Sequence, residues 1–358
     1  MPEISKPQLT QQDARSLSLV SAGHFHPPTV MDNDFLASLD IGVDPNWIMQ
    51  RVGIRERRTV LPLDYIRQTR NRDPREANEA STVSDAEAGA NAACMALRRA
   101  GLKSEDIGMV IAGGCSAQHS IPAQACLIAA ELQIECPAFD ISSACSSFAA
   151  QLHLLSSMRP ETLPEYILVV NVENTTRTVD YNDRRTAVLW GDGASAVIVS
   201  PRSKGRASIQ ASALHSDPSG WKNVVIPTGG HFRQDGSAVQ AFAIRKTVET
   251  FTELSAGLAP ESQPIFIGHQ ANALVLESVC RRTGIPPERH LFNVDCFGNC
   301  GAAGAPSVLS ENWEKIGSGY VNLVVVGSGL TWGGVLLHFG ANGQPGANHT
   351  LSNGDRRD

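Results

Sequence analysis

Three residues of this sequence are of types, and stand in settings, that could do chemistry together: Cys145, His269 and Asn299. Cys145 lies in DISSACSSF, where an apolar run stops and a helix opens among Ala and Ser. A thiol at a helix N-terminus feels the positive end of the macrodipole, which favours thiolate, the form that attacks acyl groups. The small neighbours leave room for a substrate. His269 follows the apolar run PIFI in GHQAN, at the end of an expected strand, where reactive groups of open sheets gather. Asn299 sits in FGNCGAAGA, a turn that no bulky side chain crowds, and an amide is a ready donor to a developing oxyanion. Singly, each has an ordinary reading: a packing cysteine, a structural or exposed histidine, an asparagine in a capping turn. Together, a Cys and two neutral donors suit acyl transfer through a covalent thioester, followed by stabilisation of an enolate.

The elements that must position these groups repeat. Short Val- and Ile-rich runs alternate with helix-like segments, the pattern of an α/β fold. Strands are predicted at Ile107–Ala112, Ala138–Ser142, Tyr166–Val172, Thr186–Ser200 with a Gly-Asp-Gly break, Ile265–Gly268, Leu291–Val294, Val321–Gly327 and Gly333–Phe339. Helices are predicted at Ser84–Arg99, Pro122–Leu132, Ser146–Met158, Val239–Leu254, Ala271–Thr283 and Ala302–Trp313. The stretch from MVIAGGCSAQHS to the Cys145 turn parallels the stretch from IFIGHQAN to the Asn299 turn, and Asp140 to Cys145 matches Asp295 to Cys300 in spacing. The repeat is an internal duplication with a seam near residues 201 to 206. A pseudo-twofold axis would bring Cys145 of one half to His269 and Asn299 of the other.

Composition narrows the classes of function. The 358 residues are 42% hydrophobic and 18% charged, as in ordinary globular proteins. A net charge of -6 provides no basic field for a nucleic-acid backbone. The eight cysteines form no C-x-x-C pair and read as reduced thiols. Cys296 and Cys300 lack partners at zinc spacing, so no metal site is expected. The opening MPEISKPQLT lacks the apolar core of a signal peptide, and no apolar run reaches the length of a membrane span. A cytoplasmic protein is expected, which makes the sequons at Asn174 and Asn348 chance matches. Residues 62–83 read as a charge-rich surface loop or short helical insertion, and 341–358 as a frayed tail.

The ordered motifs WIMQRVGIRERR, FDISSACSSF, LWGDGASAV, GHQAN, GNCGAAG and GLTWGGVLLHF resemble, over about residues 18 to 340, those of thiolase-superfamily condensing enzymes. Within that superfamily the chain looks most like the β-ketoacyl-acyl-carrier-protein synthase III group. The resemblance implies a thiolase-like duplicated αβαβα five-layered fold, with halves at 1–203 and 204–340 and a tail at 341–358. It assigns the first acyl chain to Cys145 and the carbonyl of a malonyl-type partner to His269 and Asn299. The oxyanion hole would be the N–H groups of Cys145 and Ser328, where Ser replaces the family's Gly. Trp47, Arg51, Arg184 and Asn272 match positions that hold coenzyme A or phosphopantetheine, and Ile121 and Phe297 match the acyl tunnel. For carrier docking the family uses basic residues on and beside the helix after HQAN. Arg281 and Arg282 remain, Leu274 and Ala243 stand where Arg and Lys are usual, and Arg245 and Lys246 offer charge nearby.

Substrates would arrive on coenzyme A or an acyl carrier protein, with no permanently bound cofactor, and the chain would form a homodimer. These departures and the insertion leave open a stand-alone ketosynthase of polyketide or antibiotic pathways that joins two long β-ketoacyl chains into an α-pyrone-type product without decarboxylation. An inactive scaffold of the same fold is a further alternative, against which the intact Cys, His and Asn set argues. A thiolase proper would carry a second cysteine in the stretch VVVGSGLTWGG, which has none.

Overall fold

A computed structural model describes residues 17–259 and 261–340. Its main sheet has nine strands: β1 (Ser18–Phe25), β2 (Met109–Gly113), β3 (Ala138–Asp140), β4 (Ile167–Glu173), β5 (Gly193–Ser200), β6 (Ala207–Ser216), β7 (Ile265–Gly268), β8 (Gly319–Gly327) and β9 (Thr331–Phe339). The order is β7-β8-β9-β6-β1-β5-β4-β2-β3. β1 pairs with β5 along most of its length, but meets β6 only where Ser18 faces Ser208 and Leu19 faces Ala207. The sheet is therefore two half-sheets joined at a narrow seam, with β5 ending at Ser200 and β6 beginning at Ala207.

The helices that bear on the site are α1 (Pro45–Val52), α2 (Asp85–Ala100), α3 (Gln124–Glu131), α4 (Ser147–Ser157), α5 (Gly236–Ser255), α6 (Ala273–Thr283) and α7 (Gly301–Glu311). α2 and α3 cover the outer face of the first half-sheet; α5, with α6 against it, covers the outer face of the second. α4 and α7 lie between the half-sheets, touch each other and touch strands of both. The result is helix, sheet, helix, sheet, helix, the five-layered α/β fold implied by the sequence. A helix between two sheets has no wet face. Accordingly every residue of α7 from Gly301 to Ser310 is buried, and its Gly, Ala and Ser content lets two sheets approach at once. No helix among the described residues is long and apolar enough to cross a membrane.

Two expectations change. Leu291–Val294 is not a strand: one backbone bond joins Leu291 N to Phe266 O, after which Gln270 Oε1 takes the N–H groups of Asn293 and Val294 and the chain turns into the short helix Val294–Phe297. The run Thr186–Ser200 is a strand only from Gly193, because Asp183 caps a helical turn at Arg184–Ala187. The insertion at 62–83 takes the short helical form of the two expected, as the helices Leu63–Thr69 and Glu76–Ala80. Asn71 between them is fully buried and donates to the carbonyls of Arg177 and Val179. The expected tail at 341–358 lies outside the described residues.

β1 packs so tightly on α2 that a Cβ at Gly23 would stand 2.1 Å from Ala92 O and 2.7 Å from Ala96 N. Both are backbone atoms of a long helix, which cannot step aside. Gly23→Val should cost about 3 kcal/mol or more, read as a lowered midpoint in urea unfolding followed by circular dichroism.

Candidate active site

Cys145 stands in the turn between β3 and α4, one residue after Ala144, which takes the left-handed conformation with φ 48°. That conformation costs energy in a non-glycine residue and is held by its surroundings. The Ser143 N–H donates to Ser147 Oγ, and Ser146 and Ser147 donate their hydroxyls to the carbonyls of Ser143 and Ala144. β8 closes over the turn: a Cβ at Gly327 would come within 3.2 Å of Cys145 N. Ser328 follows, its hydroxyl donating to Val224 O at 2.6 Å, so the replacement side chain is held against the Val224–Val225 strand.

Cys145 is buried, 7% exposed, yet its thiol lies well below the usual range. A hydrogen bond from Cys115 is the largest cause; a hydrogen bond from His269 and its charge add to it, and together they outweigh burial. His269 sits in the loop after β7. Its Nδ1 is buried with no hydrogen-bond partner among the described residues, an unfilled polar position of the kind a ligand atom satisfies. The neighbouring Gln270 is fully buried, donates to Gly268 O at 2.7 Å and accepts the Asn293 and Val294 N–H groups. It ties the histidine loop to the segment that leads to Asn299.

The LWGDG motif holds Asn299 by its backbone: Asn299 N donates to Leu189 O, and Gly191 N donates to Asn299 O. Asn299 Oδ1 accepts the Gly301 N–H at 3.0 Å. Because that oxygen is occupied, the amide presents its NH2 as the free donor.

The halves are joined at the site by Glu173, the last residue of β4. Its fully buried carboxylate accepts the backbone N–H of Cys115 at 2.9 and 3.1 Å and that of Ala302, in the first turn of α7, at 2.9 Å. A Cβ at Gly301 would lie 2.5 Å from Glu173 Oε1, so only glycine fits there. Behind it, Asp192 accepts the N–H groups of Val60 and Thr176. Sequence reasoning passed over Cys115, Glu173, Asp192 and Gln270, because a polar residue at the end of an apolar run is the ordinary mark of a strand end.

The remaining expected residues lie around the rim. Trp47 and Arg184 come together, with the guanidinium 5.5 Å from the ring, and Arg51 is exposed four residues on along α1. The end of α1 abuts α6, since a Cβ at Gly53 would stand 2.8 Å from Ala273 Cβ. Asn272 Oδ1 caps α6 by accepting the Leu274 and Val275 N–H groups, a use of that side chain that the sequence reading did not anticipate. Phe297 stacks on His26 with ring centres 3.8 Å apart and has Arg58 5.6 Å from its centre; these contacts account for its packing. Ile121 is 84% exposed. Arg281 and Arg282 are exposed in the last turn of α6. Lys246 donates to Glu249 at 2.7 Å and lies over Trp332, and Arg245 stands 3.9 Å from the same carboxylate. Glu249 thus offsets part of the charge that α5 offers.

Two family models match the chain, 3-oxoacyl-[acyl-carrier-protein] synthase III at residues 139–218 and its C-terminal model at residues 255–339. The β-ketoacyl-[acyl-carrier-protein] synthase III of Aquifex aeolicus is 32% identical over 327 residues, 90% of this chain and 99% of that one. This chain belongs to the 3-oxoacyl-[acyl-carrier-protein] synthase III family. The Syntrophomonas wolfei relative of the same name is also 32% identical, over 90% of this chain and 98% of its own. Among solved structures, the Aquifex aeolicus synthase III superposes with a TM-score of 0.80 at 31% identity, covering 90% of this chain and 100% of that one. The priming β-ketosynthase of the R1128 polyketide pathway, at 24% identity and a TM-score of 0.77 over 95% of this chain and all of its own, shares the fold.

Burial first, and then the Cys145 charge, pushes Glu173 up from 4.5 to about 7. Between those values the native state keeps a proton that the unfolded chain has lost, so stability present at low pH is lost as pH rises to about 7. The full loss is about 3 kcal/mol at most. In Glu173→Gln this component is absent, so the fall in urea midpoint from about pH 5 to about pH 7.5 should be smaller than in the unaltered protein.

Proposed function

We propose that this synthase III family member joins an acyl chain to a malonyl-type thioester by a Claisen condensation in fatty-acid or polyketide biosynthesis, with Cys145, His269 and Asn299 as its catalytic residues. The observation that carries the reading is a buried cysteine at the head of α4 with Cys115 Sγ 3.4 Å from its sulfur, its thiol drawn well below the ordinary range by Cys115 first and by His269. In the first step the Cys145 sulfur attacks the acyl thioester carbonyl, and the carrier thiolate leaves. The N–H groups of Cys145 and Ser328 stabilise the oxyanion. In the second step His269 and the Asn299 NH2 hold the carbonyl oxygen of the malonyl thioester. Loss of CO2 places charge on that oxygen, and the two donors bind the enolate more strongly than the ester, which is what lowers the barrier. The enolate carbon attacks the acyl group on Cys145, and the thiolate is released.

Coenzyme A would enter past Trp47, Arg51 and Arg184, adenine against the indole and phosphates on the arginines, with the pantetheine arm passing Asn272. The Trp47 and Arg184 contact supports this path. The acyl carrier protein would dock by its acidic surface on Arg281 and Arg282, with Arg245 and Lys246 weakened by Glu249. The acyl tunnel would be bounded by Ile121 and Phe297. A homodimer would form by covering the free edge of β3, where Ile121 and Phe139 are exposed apolar residues. The halves 1–203 and 204–340 would act as one catalytic unit, in the cytoplasm, with no permanently bound cofactor.

Intact-protein mass spectrometry after incubation with acyl-CoA thioesters of rising length, followed by a malonyl-carrier chase, tests the reading. Cys145→Ala should carry no acyl adduct; an adduct of unchanged yield elsewhere in the chain would overturn the assignment. His269→Ala should load but retain its adduct through the chase, with condensation slower by about 100-fold or more. Arg184→Ala should raise KM for acyl-CoA about tenfold with little change in kcat, in a steady-state assay of released coenzyme A thiol.

A further inference from the structure

The Cys145 sulfur has a neighbour that the condensing steps above do not use. Cys115, two residues past the end of β2, holds its Sγ 3.4 Å from Cys145 Sγ, within hydrogen-bonding distance for sulfur. It is fixed from behind: both oxygens of Glu173 accept its backbone N–H, and the same carboxylate takes the Ala302 N–H and the hydroxyls of Ser116 and Thr175. The backbone that carries the thiol is thereby fixed beside the sulfur that reacts.

We infer that Cys115 is a catalytic residue, whose thiol donates its hydrogen bond to the Cys145 sulfur and holds it as thiolate, with Glu173 positioning the donor. The inference rests on Cys145 being the nucleophile. The titratable groups facing that sulfur are Cys115 from the β2 loop and His269 from the β7 loop; Glu173 at the end of β4 lies behind Cys115, and Cys300 at the head of α7 interacts with Glu173. The bond with Cys145, then burial, drives the Cys115 thiol well above its ordinary range, so it keeps the shared proton.

The proton count closes at each step. When the Cys145 sulfur takes the acyl group its charge passes to the departing carrier thiolate, which is protonated by solvent, and Cys115 keeps its own proton. When the enolate carbon attacks and the carbon–sulfur bond breaks, the electron pair returns to the Cys145 sulfur and meets the same donor. Cys115 therefore serves twice, lowering the cost of the attacking thiolate and of the thiolate expelled in the condensation.

The test is the pH dependence of Cys145 alkylation by iodoacetamide, read by peptide mass in the full chain, in Cys115→Ala and in Cys115→Ser. The unaltered protein should show a midpoint below the ordinary thiol value of about 8.5. In Cys115→Ala it should rise by about one pH unit or more, a tenfold slower reaction below both midpoints. Cys115→Ser keeps a donor of nearly the same size and should fall between the two. A Cys115→Ala midpoint equal to that of the unaltered protein overturns the inference. If the alanine variant does not fold, Cys115→Val, which fills the space and donates nothing, decides: a raised midpoint supports the role and an unchanged one overturns it. Iodoacetamide reports the ionisation of the sulfur whether or not any acyl thioester loads, so failure of the condensing reading and failure of this one are seen separately.

Discussion

The close burial of two helices between two half-sheets is the constraint on which this site depends. α4 and α7 touch each other and strands of both half-sheets; α7 is rich in Gly, Ala and Ser, α4 fills its share of the space with Phe148, Leu152 and Leu155, and their N-terminal turns are drawn to the same place. Cys145 precedes α4 by two residues and Asn299 precedes α7 by two. Dispersion and apolar burial in the cores on either side hold the turns, and the strained φ at Ala144 is tolerated because that packing over-determines it. The chemistry is carried by loops, but the loops have little freedom.

Across this packed centre the two halves are joined by hydrogen bonds to Glu173, while Asp192 behind it ties Val60 to Thr176 within the first half. Glu173 and Asp192 are fully buried acids, raised to about 7 and about 6 by burial before all else. Each is kept by the N–H groups and hydroxyls aimed at it, which offset part of the desolvation cost and leave the remainder as a standing loss of stability. In return the Cys115 loop and the first turn of α7 are set at one distance from each other. A site assembled from two halves of a chain needs such a cross-link, since apolar packing alone specifies position loosely.

Much of this was legible beforehand, for a physical reason. The turns at Cys145 and Asn299 must be made of Gly, Ala and Ser to fit between sheets, and that composition stands out in the sequence. The strands buried on both faces, such as VNLVVVG and ILVVNVE, read as apolar runs. What was not legible depends on contacts distant in sequence. Glu173 reads as a polar strand end until Cys115 and Ala302 are seen to donate to it. Gln270 reads as a loop residue until its oxygen is found to end the segment predicted as a strand at Leu291–Val294. Asn272 was read as a ligand group from the resemblance and Lys246 as a docking group from its charge, whereas local geometry also uses one as a helix cap and the other in an ion pair.

β1 was missed altogether, because SLVSAGHF contains neither an apolar run nor a clean alternation. Its place in the fold gives that composition a use. β1 spans residues 18–25 and pairs antiparallel with β5, which begins at residue 193. At roughly 5 to 20 residues per second, a ribosome would take about ten to thirty seconds to supply the partner after β1 is made. For that time the segment has an unpaired edge in a crowded cell. A Val- and Ile-rich strand so exposed would invite pairing with other nascent chains, whereas one broken by Ser, Gly and His is a poor template. The weak pattern that hides β1 from sequence reading is also what lets it wait.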